Sequence, residues 1–126
     1  MLKSVVYSEK APEPIGPYSQ AIQANNFLFV SGQIAIQRST GKMITDNIGE
    51  ETSQVMKNIG DVLTAAGMNF SNVVKTSIFL TDMNNFPKVN EQYGTYFTVE
   101  PPARETVEVS RLPKGANVEI SCIAIK

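Results

Sequence analysis

The chain has 126 residues, with 11 lysines and arginines against 12 aspartates and glutamates, one cysteine and no histidine. The lack of imidazole excludes a Ser-His-Asp triad, a Cys-His pair and a histidine-ligated metal, and the single cysteine excludes an intramolecular disulfide. The formal net charge of −1 provides no general attraction to nucleic acid or to anionic lipid.

Short strands are predicted for the first part of the chain. Residues 5–7 are β-branched or aromatic and form a strand that ends before the proline-rich segment 12–17, where missing N–H groups oppose regular pairing. Residues 19–24 and 27–31 flank Asn25-Asn26, a pair that tolerates the positive φ of a tight turn. The pattern therefore predicts a strand, an irregular segment and a hairpin.

Two helices and a long strand are predicted for the middle of the chain. The hydrophobic period changes from 2 to 3.6 at Ile48 and predicts a helix over residues 48–66, with Gly67 as its C-terminal cap. Residues 72–81 are rich in β-branched side chains, which favours a strand. Aromatic residues at helical spacing over 86–97 predict the second helix.

The last two predicted strands, residues 105–112 and 117–125, are separated by Pro113-Lys114-Gly115. The whole order predicts an α+β fold, a single mixed sheet with two helices on one face, in one domain over residues 1–126. One face of the final strand is apolar and should carry the helices. The other face is mixed: Glu119, Ser121, Ile123 and Ile125. Because it is too apolar to be left wet, we predict that other copies of the chain cover it.

Arg104 and Glu119 are the two strongest candidates for chemistry. Arg104 begins a strand after a stiff Pro-Pro-Ala approach, and its planar fork suits a substrate carboxylate. An ion pair with Glu105 or Glu108 is the structural alternative. Glu119 could orient or deprotonate a water, the role that carboxylates fill when histidine is absent, or it could be an ion-pair partner.

A guessed strand register bears on whether these two residues can share a site. If the last two strands pair as a hairpin, Ser110 lies opposite Glu119, and Arg104 is then roughly 20 Å farther along the sheet. Within one chain this distance is too long for a small substrate. A common site would therefore combine Arg104 of one chain with Glu119 of a neighbour.

Several other residues leave a functional and a structural interpretation open. Tyr18 lies beside a constrained turn, where it lines a site or packs under the proline-rich loop. Ser31-Gly32 ends a strand, and the glycine either admits a ligand close to the backbone or forms a bulge. Asn90 on the second helix faces a pocket or solvent. Cys122 lies on the apolar face, which indicates a core residue rather than a nucleophile.

Several motifs together resemble the Rid family of reactive intermediate (imine) deaminases, also called YjgF-type proteins. They are residues 15–21 (IGPYSQA), 31–34 (SGQI), 89–90 (VN), 102–104 (PAR), 107–114 (VEVSRLPK) and 118–120 (VEI). The resemblance covers essentially the whole chain. It implies a chorismate-mutase-like α+β fold, a homotrimer with three clefts between subunits, and no metal or organic cofactor.

The resemblance also implies site residues, by position in the arginine-bearing deaminase branch. It assigns the substrate carboxylate to Arg104 and the hydrolytic water to Glu119. The other positions matched to the substrate cleft are Tyr18, Ser31, Gly32, Asn90 and Thr106. Thr106 is a departure, since many members have cysteine there, and thiol-dependent chemistry is not expected from it.

The function implied is hydrolytic deamination of 2-imino and 2-enamino acids, such as 2-aminoacrylate and 2-aminocrotonate, to 2-keto acids and ammonia. A protein that senses a small carboxylate in the same cleft is one alternative. An endoribonuclease or translation inhibitor is another, and the acidic pI near 5.4 and the missing histidine disfavour it. We expect a small substrate as the partner, no nucleic acid, no membrane, and a cytoplasmic location.

Overall fold

A six-stranded mixed sheet organises the fold in the computed structural model, which describes residues 2–126. Its strands are β1 (Lys3–Val6), β2 (Ala21–Ala24), β3 (Phe27–Gln33), β6 (Val73–Leu80), β7 (Ala103–Glu108) and β8 (Val118–Ile125), in the order β1-β2-β3-β8-β6-β7. A separate two-stranded ribbon, β4 (Ile36–Gln37) and β5 (Lys42–Met43), adds a small second sheet that the sequence did not indicate.

Both helices lie on one face of the large sheet, as predicted. Helix α1 (Ile48–Ala65) packs on β3 and β8, and α2 (Phe86–Gly94) packs against α1. The Asn47 side chain accepts from the Glu50 amide at 2.8 Å and caps α1, whereas Gly67, at φ 72°, terminates it. The second helix is shorter than predicted and ends at Gly94.

The core lies between α1 and the central strands. The alternation predicted for β8 is confirmed, because Val118, Ile120, Cys122 and Ala124 are buried beneath the helices. Cys122 is therefore a core residue, as predicted. Burial raises the pKa of its thiol to about 12, so the nucleophilic thiolate is scarce at neutral pH.

The predicted hairpin of the last two strands is wrong. Strand β7 pairs in parallel with β6, and β8 pairs antiparallel with the opposite edge of β6. The reason is α2, which connects β6 to β7 and forms the crossover that a parallel pair requires. Strand β7 ends at Glu108, so Ser110 has no strand partner in β8.

The sheet face opposite the helices is uncovered by the rest of the described chain and is largely apolar. Its exposed side chains include Val5 (65% exposed), Phe29 (46%) and Val107 (41%), and Ile123 lies beside Phe29. A simple pattern for β7 would turn its apolar side chains toward the helices. The structure shows the reverse, because Arg104 pairs with buried Thr76 and therefore lies on the helix side. Burial of this open face against other copies stays a prediction.

Candidate active site

A cleft of about 490 Å³ opens at the end of β3 beside the first residues of β8. Four residues that the resemblance assigned to the site line it: Tyr18, Ser31, Gly32 and Glu119. Apolar side chains complete much of its wall: Pro12, Ile15, Ile34, Ile36 and Pro113. The cleft is therefore a mostly apolar space with two carboxylates, those of Glu13 and Glu119, in its wall.

Gly32 and Glu119 are in direct contact in this cleft. The register between β3 and β8 shifts between Val30 and Gln33, and Gly32 lies in this irregular stretch. A Cβ on Gly32 would lie 2.6 Å from Oε2 of Glu119, closer than real Cβ contacts. Burial raises the pKa of the Glu119 carboxyl, which makes its carboxylate a stronger base than an ordinary glutamate. Gly32 thus lies in an irregular, bulge-like stretch and leaves space for the Glu119 side chain, and the approach of a ligand to its backbone stays a prediction.

Ser31 and Tyr18 belong to the same wall. The Ser31 hydroxyl donates to the Ser19 carbonyl at 2.6 Å, and the Ser31 amide donates to the Gln20 carbonyl at 2.9 Å. These bonds join the end of β3 to the motif that carries Tyr18. The Tyr18 hydroxyl accepts a long bond of 3.4 Å from the Ile15 amide, and its side chain is exposed. Tyr18 therefore retains a phenol available to a ligand.

Gln20 is a structural support of the cleft that sequence reasoning missed. Its buried carboxamide accepts from the Ser8 amide at 2.6 Å and donates to the carbonyls of Ser8 and Pro12 at 3.0 and 2.9 Å. These bonds hold the proline-rich segment that forms part of the wall. The only signal was its place in the motif at residues 15–21, because a glutamine is by type a surface residue.

Arg104 lies in a second group of residues, on the helix side of the sheet. Its Nη1 donates to Oδ1 of Asn90 at 2.8 Å. Its guanidinium carbon lies over the ring centres of Phe86 and Tyr93, at 5.3 and 5.0 Å. One amide and two aromatic faces thus orient the guanidinium and leave part of its fork free for a ligand.

The predicted alternative for Arg104, an ion pair with a nearby glutamate, is wrong. Glu105 faces the other side of β7, where it pairs with Lys75 at 3.0 Å and with the Ser77 hydroxyl. Glu108 accepts from the Met83 amide at 2.8 Å. Among residues 2–126, no carboxylate lies within 4.0 Å of the Arg104 guanidinium, so a carboxylate ligand would be its first.

Thr106 shares the helix side of β7 with Arg104, two residues farther along. Its Oγ1 is buried and has no hydrogen-bond partner among the described residues. Nearby, the hydroxyls of Tyr93 and Thr76 share a 2.7 Å hydrogen bond. Burial raises the pKa of Tyr93, although that bond and the charge of Arg104 oppose the shift. Thr106 thus has unused hydrogen-bonding capacity on the same side of β7 as Arg104.

The two groups of residues lie on opposite faces of the sheet. In β6, Thr76 pairs with Arg104 on the helix side, whereas Phe79 pairs with Glu119 on the open side. Thr76 and Phe79 are three residues apart on β6, and β7 and β8 lie on either side of this strand. The Cα atoms of Arg104 and Glu119 are therefore roughly 14 Å apart. One chain therefore does not bring Arg104 and Glu119 together. The guessed register was wrong and the separation is shorter than the roughly 20 Å that it implied, but it is still too long for one small substrate.

The described residues offer no obvious metal site. Across residues 2–126, no group of three or more His, Cys, Asp or Glu side chains is arranged to hold a metal ion. Over the same range, none of the helices combines the length and the apolar character needed to cross a membrane.

Comparisons with known proteins find close similarity over the whole length. A family model described as endoribonuclease L-PSP matches residues 8–126. A RutC family protein of Pyrococcus horikoshii is 51% identical over 125 residues, 99% of each chain. A mouse protein named 2-iminobutanoate/2-iminopropanoate deaminase is 45% identical over 126 residues, which cover 100% of this chain and 93% of the mouse protein. The crystal structure of a Rid family protein from Yersinia pestis has a TM-score of 0.96 and 51% identity, and the match covers 98% and 99% of the two chains.

Proposed function

Because the chain belongs to the endoribonuclease L-PSP family, which includes the Rid proteins, we propose that it is a 2-imino acid deaminase. It hydrolyses 2-imino and 2-enamino acids, such as 2-aminoacrylate and 2-aminocrotonate, to 2-keto acids and ammonia. The name of the mouse relative supports the activity and this substrate class.

The observation that carries the proposal is the state of Arg104. The guanidinium is oriented by Asn90 and two aromatic rings, and none of the described carboxylates neutralises it. A 2-imino acid has a carboxylate next to the reacting carbon. Two N–H groups of Arg104 would bind that carboxylate and fix the position of C2.

Glu119 performs the proton transfers. The enamine first tautomerises to the imine. The Glu119 carboxylate then accepts a proton from a water molecule while the water oxygen forms a bond to C2. Glu119 delivers that proton to the imine nitrogen, which gives a neutral carbinolamine with one hydroxyl and one amine on C2. Glu119 next accepts the hydroxyl proton and donates it to the amine nitrogen, so the C2–N bond breaks, ammonia leaves, the C2–O bond becomes a carbonyl and Glu119 is a carboxylate again. The raised pKa of Glu119 suits both steps.

We further propose that each complete site lies between two subunits of a homotrimer. Arg104, Asn90 and Thr106 come from one chain, and Tyr18, Gly32 and Glu119 come from its neighbour. The placement of the two groups on opposite faces of the sheet supports this arrangement. The uncovered apolar face supplies the surface that subunits would bury.

Thr106 supplies a hydroxyl where many relatives have a thiol. Its buried, unpartnered oxygen would bond the bound substrate or the carbinolamine hydroxyl. Because a neutral hydroxyl is a poor nucleophile without a base, its role is binding rather than covalent catalysis.

Ammonia release in a coupled assay tests the proposal. A serine or threonine dehydratase generates the imine, and product formation is compared with the uncatalysed rate. Arg104→Ala should lower kcat/KM about tenfold to a hundredfold, because a charged hydrogen bond contributes about 1.5–3 kcal/mol. Arg111→Ala, at an exposed arginine outside the site, is the control and should match the wild type.

The outcomes separate the alternatives. Full activity of Arg104→Ala would remove Arg104 from the site. A wild type that binds 2-oxobutanoate but does not accelerate ammonia release would indicate a carboxylate sensor. Cleavage of RNA without deamination would support the nuclease alternative.

A further inference from the structure

Glu51 is a fully buried carboxylate that lies outside the cleft. It belongs to the first turn of α1, and none of the described cations lies within 4.0 Å of it. Both of its oxygens accept bonds from one residue: Oε2 from the Asn117 amide at 2.7 Å, and Oε1 from the Asn117 side-chain Nδ2 at 2.8 Å. Glu51 thus connects α1 to the residue that precedes β8.

Burial of such a group has a cost that its own packing does not offset. A carboxylate taken out of water without a cationic partner is unfavourable, although the N-terminal turn of a helix favours negative charge. An apolar side chain of similar size would fill the space without that cost. The two bonds to Asn117 are therefore the distinctive contribution of Glu51.

Asn117 follows a turn whose backbone is strained. Lys114 has φ 56° and Gly115 has φ 68°, so two consecutive residues are left-handed, and the lysine has a Cβ that disfavours this conformation. The Asn117 carbonyl also accepts from the Thr81 amide at 3.2 Å. Asn117 is therefore fixed at its amide and side chain by Glu51 and at its carbonyl by Thr81, the residue that follows β6.

The turn and the strand that it precedes both form the cleft. Pro113 and Lys114 line the wall, and Glu119 lies two residues after Asn117. Movement of Asn117 would shift the wall and the first residues of β8 relative to Gly32. An error of about 1 Å in such a position can reduce the rate about a hundredfold.

We propose that Glu51 is a positioning residue for the cleft, acting through Asn117. From the far side of the sheet, its carboxylate holds residues 113–117 in the conformation that places Lys114 in the wall and Glu119 beside Gly32. This inference rests on the proposed function for its catalytic consequence, but the conformational part stands apart from it.

A reciprocal pair of substitutions tests the connection. Glu51→Gln replaces one acceptor oxygen with an N–H donor that opposes the donors of Asn117. The expected result is faster amide hydrogen exchange at 113–117 and a kcat/KM about tenfold lower, measured well below Tm. In the double variant Glu51→Gln/Asn117→Asp, the glutamine Nε2 donates to the new carboxylate, and its Oε1 accepts from the amide of residue 117. Protection and kcat/KM should then recover.

Glu50→Gln is the matched control, since Glu50 is adjacent but exposed, and it should change neither readout. A purely structural Glu51 predicts that Glu51→Gln lowers Tm but leaves both exchange at 113–117 and kcat/KM unchanged, and that result overturns the proposal. Failure of the double variant to recover protection does so as well. A wild type that releases no ammonia rejects the proposed function instead, while hydrogen exchange still decides the conformational part.

Discussion

Gly32, a residue without a side chain, is a neighbour of the proposed catalytic carboxylate of Glu119 in the cleft. Gly32 leaves the space that Glu119 occupies, so the position of the proposed base depends on a missing methyl group. The atoms that a Cβ would meet belong to the end of a flexible side chain rather than to the backbone. A larger residue would therefore move the carboxylate without disrupting the fold.

Gly32→Ala should consequently lose activity with little loss of stability. Displacement of the Glu119 carboxylate should reduce kcat/KM about tenfold to a hundredfold, while Tm changes little. Gly94→Ala is the control, because Gly94 has open space around its Cα and lies in α2. Equal kcat/KM for Gly32→Ala and the wild type would contradict the assigned position of Glu119.

Glu119→Gln should slow hydrolysis more than binding, since the amide cannot accept a proton from water.

Glu119→Gln should also raise Tm at neutral pH. Burial raises the folded-state pKa of Glu119 above the usual 4.5. The wild type therefore loses folding stability as pH rises from about 4.5 through the raised folded-state pKa. Thermal scans against pH should show the two proteins converging below pH 4.5. A Tm difference that is constant with pH would contradict this origin.

Residue types and motifs predicted side chains that the structure places in the cleft and around Arg104, but not the residues that support them. Arginine, glutamate and a glycine within long motifs have recognisable chemistry. Gln20 and Glu51 are buried polar residues whose types are usually exposed. Their role depends on partners far along the chain, Ser8 and Asn117, and no local pattern identifies such partners.

At the scale of elements, α1 and the alternation of β8 could be predicted because their periodicity is local. The position of β7 could not, because proximity in sequence favoured a hairpin with β8. The helix between β6 and β7 was the better indicator, since it can connect parallel strands. Strand pairing is decided by how the whole sheet assembles. The pairing of β7 with β6 places Arg104 on the face opposite Glu119.

Helix α2 contributes one face to the Arg104 environment. Phe86, Asn90 and Tyr93 are spaced at i, i+4 and i+7 and therefore lie on the same side of the helix. The two rings and the amide contact Arg104 together. The helix thus orients the guanidinium as well as covering the core.

Asn90→Ala should raise KM about threefold to tenfold and change kcat less, because one hydrogen bond to Arg104 is lost while both rings remain. Steady-state kinetics with several imino acids would measure both parameters. Glu91→Ala, at the next and exposed residue of α2, should leave them unchanged. A KM unaffected by Asn90→Ala would mean that the aromatic rings alone orient Arg104.

For the molecule as a whole, the open sheet face and the placement of Arg104 and Glu119 on opposite faces both fit the proposed assembly of several copies. Exposed Val5, Phe29 and Val107 lie on a face that soluble monomers rarely leave uncovered. The same chain holds its guanidinium and its carboxylate on opposite faces of the sheet. Assembly through the open face would cover the apolar surface and could bring Arg104 of one copy to Glu119 of another.

Mixing of two impaired variants tests this central claim most directly. Arg104→Ala and Glu119→Gln chains are unfolded together, refolded at equal concentrations, and assayed for ammonia release beside each variant refolded alone. In a random cyclic trimer with sites between chains, about a quarter of the sites receive both intact residues, so about a quarter of wild-type activity should return. Mixed assemblies no more active than the separate variants would contradict a site shared between subunits.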